Sequence, residues 1–145
     1  MRFMMLVIPK GYETAKPGTM PDPDAVAKMM KYNEELQKAG VLIALDGLHP
    51  PSMGTRVKFE KGRPPVVTDG PFPESKEVLG GYWMIRVKDK AEAVEWARRC
   101  PMMEDATIEI RQVQEMEDFA KDKAYEKSGV MEKFAGLDRK LERQA

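Results

Sequence analysis

Phe3-Met4-Met5-Leu6-Val7-Ile8 is an unbroken apolar run of strand length near the N-terminus. Successive side chains of a strand point to opposite faces, so a run without a polar position predicts a strand covered on both sides. The chain must therefore provide two covers, and its helices provide one. Val26, Met29, Met30, Leu36 and Ala39 recur at helical spacing after the cap candidates Asp22 and Asp24, with Pro23 at the start and Gly40 as the stop. Ala93, Val94, Trp96 and Ala97 form the apolar side of a second helix over 90–99, with Pro101 beyond its end.

The remaining strands complete the order. An apolar strand over 41–45 follows the first helix, and Arg56-Val57-Lys58-Phe59-Glu60 alternates as a half-exposed strand does. Lys61-Gly62-Arg63 turns it, and the chain returns over 66–68. A strand over 82–87 places Tyr82, Met84 and Arg86 on one face and Trp83, Ile85 and Val87 on the other, and a last strand covers 107–113. The order is βαβ, a β-hairpin insert, then βαβ, which is the split-βαβ, ferredoxin-like pattern of an α+β protein. Two helices cover one face of such a sheet. A second copy packed sheet to sheet is the simplest cover for the other, so a homodimer is expected.

The domain is expected to span 1–113, with a helical extension over 114–145. In the extension Met116, Phe119 and Ala120 make a short stripe, and Val130, Phe134, Leu137 and Leu141 make one apolar seam on a charged helix. That seam packs on the domain, packs across the dimer, or docks a partner.

Charge and cysteine content exclude several function classes. With 24 basic and 24 acidic residues, no net field draws nucleic acid or an anionic membrane, and no basic cluster interleaves with aromatics. The single Cys100 leaves no internal disulfide and no multi-cysteine metal site, and it reads as a buried helix-end residue. No apolar run approaches the roughly 20 residues of a membrane span, and the N-terminal run reads as a strand, not a signal peptide. A cytoplasmic protein is expected. HExxH, Cys/His clusters, a GxSxG elbow and a phosphate-cradling glycine loop are all missing, so neither metal nor cofactor is expected.

The segment 69–81 is far longer than a hairpin needs. Asp69-Gly70-Pro71 opens it as a turn that presents Phe72, with Asp69 placed to bond its own downstream backbone. Glu74-Ser75-Lys76-Glu77 and Gly80-Gly81-Tyr82 follow. Long ordered loops of this kind bind ligands.

Asp69-Gly70-Pro71-Phe72, Glu74-Ser75-Lys76-Glu77 and Gly80-Gly81-Tyr82 together resemble the signature of the DGPF-domain branch of the YCII-related family. Ala93-Val94-Glu95-Trp96-Ala97 and Glu109-Ile110-Arg111 stand where that family has its second helix and last strand. The resemblance covers about residues 1–120 and implies a dimeric α+β barrel. Gln112 departs from the proline common after the family's last-strand motif. For function the resemblance implies less. A dehydrochlorinase of chlorinated hydroxyhydroquinone belongs to the wider family, a His-Asp pair has been proposed as catalytic in such proteins, and small lactone isomerases and monooxygenases share the fold. DGPF members are often encoded beside extracytoplasmic-function sigma factors, which implies a regulatory setting.

His49 is the only histidine, so any imidazole acid-base step uses it. Its alternative is a surface position beside Pro50-Pro51. Asp69 orients His49 or takes a proton from the substrate, or it serves its turn, and an Asx-turn carboxylate can do both jobs. Lys76 either holds an anionic substrate group or belongs to a solvated loop pair with Glu77. Glu109 and Arg111 share one strand face, and Arg86 lies with Tyr82 and Met84. These residues line a polar substrate pocket inside the dimer, or form an ion pair that sets its register. Three hypotheses follow: a cofactor-free acid-base enzyme acting on a small organic molecule by elimination or isomerisation, a metabolite-binding regulator using the same cavity, and a structural partner docking through its tail helix.

Overall fold

A computed structural model describes the backbone of residues 1–102 and 105–142, with the side chains of 137–142 outside the description. It has two compact units, Met1–Gln112 and Val113–Ala145. In the first, β1 (Arg2–Pro9) leads to α1 (Pro23–Lys38) and β2 (Leu42–Gly47). A hairpin of β3 (Thr55–Lys58) and β4 (Val66–Asp69) follows, then β5 (Gly81–Arg86), α2 (Lys90–Arg98) and β6 (Ala106–Gln112).

Four strands form one antiparallel sheet of order β2-β5-β1-β6, and β3-β4 is a separate two-stranded sheet. With the hairpin set aside, this is the ferredoxin-like arrangement, the first strand lying between the third and the fourth. The fold is α+β with a helical C-terminal tail, as the order of apolar segments predicts.

Both helices start where a short carboxylate closes the first turn. Asp22 Oδ2 accepts from the Ala25 amide at 2.9 Å with Pro23 in the first helical position, and Asp89 Oδ1 accepts from Glu92 at 2.9 Å. Phe3, Met5 and Val7 of β1 and Trp83 and Ile85 of β5 turn toward the helices. They meet Tyr32 and Leu36 of α1 and Ala93 and Trp96 of α2 in one buried cluster. Tyr32 spans the two helices: its hydroxyl donates to the Trp96 carbonyl at 2.7 Å, and its ring meets Trp83 edge to face at 5.7 Å.

The other sheet face differs in kind. Met4, Leu6, Ile8 and Met84 are half-buried there, and Arg86, Glu109 and Arg111 are exposed. β2 starts one residue later than expected and ends two later, because Asp46 and Gly47 still pair with Tyr82 and Gly81, and its pairing with β5 is irregular between Leu42 and Ala44. The hairpin differs more. Alternation over 56–60 predicts one covered face, yet every residue of β3 and β4 is exposed, including Val57 and Val67 at 50% and 66%. The hairpin belongs to a sheet of its own, which leaves both of its faces to solvent.

The second unit contains α3 (Met116–Ala120), α4 (Lys123–Ser128) and α5 (Val130–Glu142). Gly129 takes the left-handed conformation (φ 67°) that ends α4. Phe119 gathers the three helices, meeting Tyr125 edge to face at 5.4 Å and Phe134 stacked at 6.1 Å. The expected seam includes Phe134, while the side chains of Leu137 and Leu141 lie outside the described residues. Among the described residues, no helix is long and apolar enough to cross a membrane.

Candidate functional site

His49 is exposed on a backbone held from both sides. Before it, the Leu48 amide donates to the Gly80 carbonyl at 2.9 Å, and the Leu48 carbonyl accepts from the Tyr12 hydroxyl at 2.6 Å. Burial raises the pKa of Tyr12, which keeps its hydroxyl a donor. After it, Pro50 is fully buried and Pro51–Met53 forms a 3₁₀ turn, in which Ser52 Oγ donates to the Ala15 carbonyl at 2.8 Å. The imidazole thus stands on a rigid stalk beside the end of β2.

Asp69 ends β4, and its neighbour Gly70 sits against this stalk. The Gly70 amide donates to the Gly54 carbonyl at 2.8 Å. A Cβ built on Gly70 would run into the Pro51 carbonyl oxygen, so no other residue permits this approach. Asp69 does not bond its own downstream backbone, as its turn position predicts. Its Oδ1 accepts from Thr55 Oγ1 at 2.7 Å, because the register of β3 with β4 places Thr55 directly opposite. Among the described residues, no hydrogen bond joins His49 to Asp69. The Gly70 contacts with Pro51 and Gly54 bring their two segments together.

The following loop is clamped from β3. The Arg56 guanidinium lies 3.9 Å from the centre of the Phe72 ring and donates to Ser75 Oγ at 2.7 Å. Gly70-Pro71 is a cis peptide, and Val78 is buried, which anchors the loop before it enters β5. Lys76 stands exposed on this clamped loop.

On the sheet face away from the helices, strand register sorts the remaining candidates into two rows. Glu109, Leu6, Tyr82 and Asp46 form one, and Arg111, Met4, Met84 and Ala44 the next. Arg86 lies opposite Arg2 beyond the second row. Tyr82 donates to Asp46 Oδ2 at 2.7 Å, and that hydrogen bond, with the carboxylate charge behind it, raises the tyrosine pKa. Tyr82, Arg86, Glu109 and Arg111 therefore share one surface, whereas Lys76, His49 and Asp69 belong to the loops at its end.

Sequence reasoning missed Glu13. Its Oε2 is buried and has no hydrogen-bond partner among the described residues. The turn that carries it, Tyr12–Thr14, packs on the Pro51–Met53 turn of the His49 stalk. A glutamate in a Gly/Pro/Thr-rich loop shows no periodicity that could have marked it. Asp46 was missed as well, because its role comes from standing opposite Tyr82 across two strands. Among the described residues, no group of three or more His, Cys, Asp or Glu side chains is arranged to hold a metal ion.

Residues 1–117 match the sequence profile of the YCII-related domain. No curated protein matches the chain.

Proposed function

The chain belongs to the YCII-related family, and from that premise we propose that it performs cofactor-free acid-base chemistry on a small organic molecule. The observation that carries this reading is the seating of Gly70 on Pro51, which holds the His49 stalk and the Asp69 turn together. Such a contact, open only to glycine, costs conformational freedom and earns its place by positioning what flanks it. The Asp69-Gly70-Pro71-Phe72 turn that makes it supports assignment to the DGPF branch.

In this reading His49 takes a proton from a carbon of the substrate. The released electron pair forms a double bond, either expelling a leaving group or shifting an existing double bond, whose far carbon then takes the proton back from His49. Asp69, held by Thr55, orients the imidazole or relays its proton once substrate closes the space between them. Tyr82, Arg86, Glu109 and Arg111 line the binding surface, and Lys76 meets an anionic group of the substrate. A second copy packed on the same sheet face encloses that surface. Support for a homodimer comes from the face itself, which carries an apolar band of Met4, Leu6, Ile8 and Met84 beside side chains of both signs. The lone cysteine suits a cytoplasmic setting.

The test is a proton NMR assay in heavy water over small lactones and halogenated hydroxyaromatics, following turnover or deuterium wash-in. The wild type should act on one class, and His49→Ala should lose on the order of 10²–10⁴-fold in rate while still binding it. Binding without turnover in the wild type would sink the enzyme reading and favour a metabolite-binding regulator of the kind found beside sigma factors.

A further inference from the structure

On the helix side of the sheet, α1 closes over one half and stands away from the other. Its C-terminal half is packed down by Tyr32 and Leu36, which are 3% and 0% exposed. Its N-terminal half, through Ala25, Val26, Met29 and Met30, roofs a cleft of about 540 Å³ whose floor includes Val7 and Trp83. Val26 and Met30 remain 40% and 53% exposed on this roof. Gly47, Gly80 and Gly81 border the space, and at Gly80 a Cβ would run into the Pro9 ring. Gly81 stands on the core-facing side of β5, and a Cβ there would come within 2.8 Å of the Asp46 carbonyl oxygen.

Asp46 and Tyr82 border the cleft and bond each other, and beyond that pair its polar chemistry is sparse and directional. Trp83 Nε1 donates to Asn33 Oδ1 at 2.8 Å. An indole nitrogen can only donate, so it holds the Asn33 oxygen and turns the amide nitrogen, with its two hydrogens, the other way. Asn33 also lines the cleft, and among the described residues its amide nitrogen has no acceptor. At the mouth, Lys10 and Asp105 neutralise each other in an ion pair at 3.1 Å. The volume falls within the roughly 300–1,000 Å³ of small-molecule sites.

We infer that this cleft is a binding site for a neutral, largely apolar molecule bearing a carbonyl group. The carbonyl oxygen accepts from the Asn33 amide, and the aromatic or alkyl body lies against Trp83 and the flexible thioethers of Met29 and Met30. The site lies on the opposite side of the sheet from Arg86, Glu109 and Arg111 and involves neither His49 nor Asp69, and Tyr82 is the one proposed substrate residue that also borders it.

Prodan, a neutral naphthyl ketone whose emission reports its surroundings, tests this with the full-length protein. Its emission should shift to the blue and saturate with a Kd on the order of tens of micromolar. Asn33→Asp keeps an acceptor for Trp83 and removes the donor, so it should weaken prodan about tenfold. Dimethylaminonaphthalene, the same ring system without the ketone, should be affected less than about threefold. Val26→Trp, a change on the exposed roof, should fill the cleft and abolish binding without touching the buried core. His49→Ala should leave prodan binding unchanged, which separates this site from the proposed reaction. Failure to saturate, equal binding by wild type and Asn33→Asp, or affinity that falls as protein concentration rises because a second copy covers the cleft, would each overturn the inference.

Discussion

At the scale of single residues, one glycine contact and one thiol make the most specific demands. Gly70→Ala sets a methyl group against the Pro51 carbonyl and should cost about 2–3 kcal/mol in urea unfolding, through backbone collision. Gly62→Ala, also in the hairpin region, meets no atom within 4 Å and pays only for its positive φ of 74°, about 1 kcal/mol. Equal costs for the two would show that the stalk and the turn are not locked together. Cys100 is half-buried just beyond α2, and burial pushes its thiol up to about 12 from 9.0. A raised folded pKa means the protonated form favours the fold. This contribution is complete below the unfolded pKa of 9.0 and disappears as pH climbs from there toward 12. Near pH 8, native Cys100 should react with Ellman's reagent at least a hundredfold more slowly than the denatured chain. Comparable rates would place the thiol in water.

At the scale of elements, what was legible in the sequence is what local chemistry decides. The cap Asp22, the stop at Gly40 and the apolar run of β1 depend on residues a few positions apart, and each appears where its pattern predicts. The rest depends on contacts that no local pattern encodes. Asp69 meets Thr55 across 14 positions instead of its own turn, and Tyr82 finds Asp46 across 36. Alternation over 56–60 identifies a strand but does not say what covers it, so the full exposure of the hairpin was not readable. The cleft under α1 gathers residues from Val7 to Ala106, a grouping that periodicity along the chain does not encode. Tyr32 shows how much one long-range bond can join. Tyr32→Phe keeps the ring against Trp83 but leaves the Trp96 carbonyl at the end of α2 with the Arg99 amide alone, and should cost about 0.5–1.5 kcal/mol by urea unfolding. A change below about 0.3 kcal/mol would mean that solvent already serves that carbonyl.

At the scale of the whole molecule, the account rests on the sheet face opposite α1 and α2. Its band of Met4, Leu6, Ile8 and Met84 is flanked by Arg86, Arg111 and Glu109, so one surface carries the apolar area and both charge signs that a two-fold pairing needs. Residues proposed to bind substrate lie on this face, and the His49 stalk and Asp69 turn belong to the loops at its end. The proposed reaction cavity exists only if a second copy closes it. Sedimentation equilibrium of the full chain at micromolar concentration, beside Leu6→Lys, is therefore the most direct measurement. The account predicts twice the chain mass for the wild type and a folded monomer for Leu6→Lys, because a charge at the centre of the apolar band cannot be buried against its symmetry mate. A wild-type monomer, or a Leu6→Lys dimer as tight as the wild type, would contradict it.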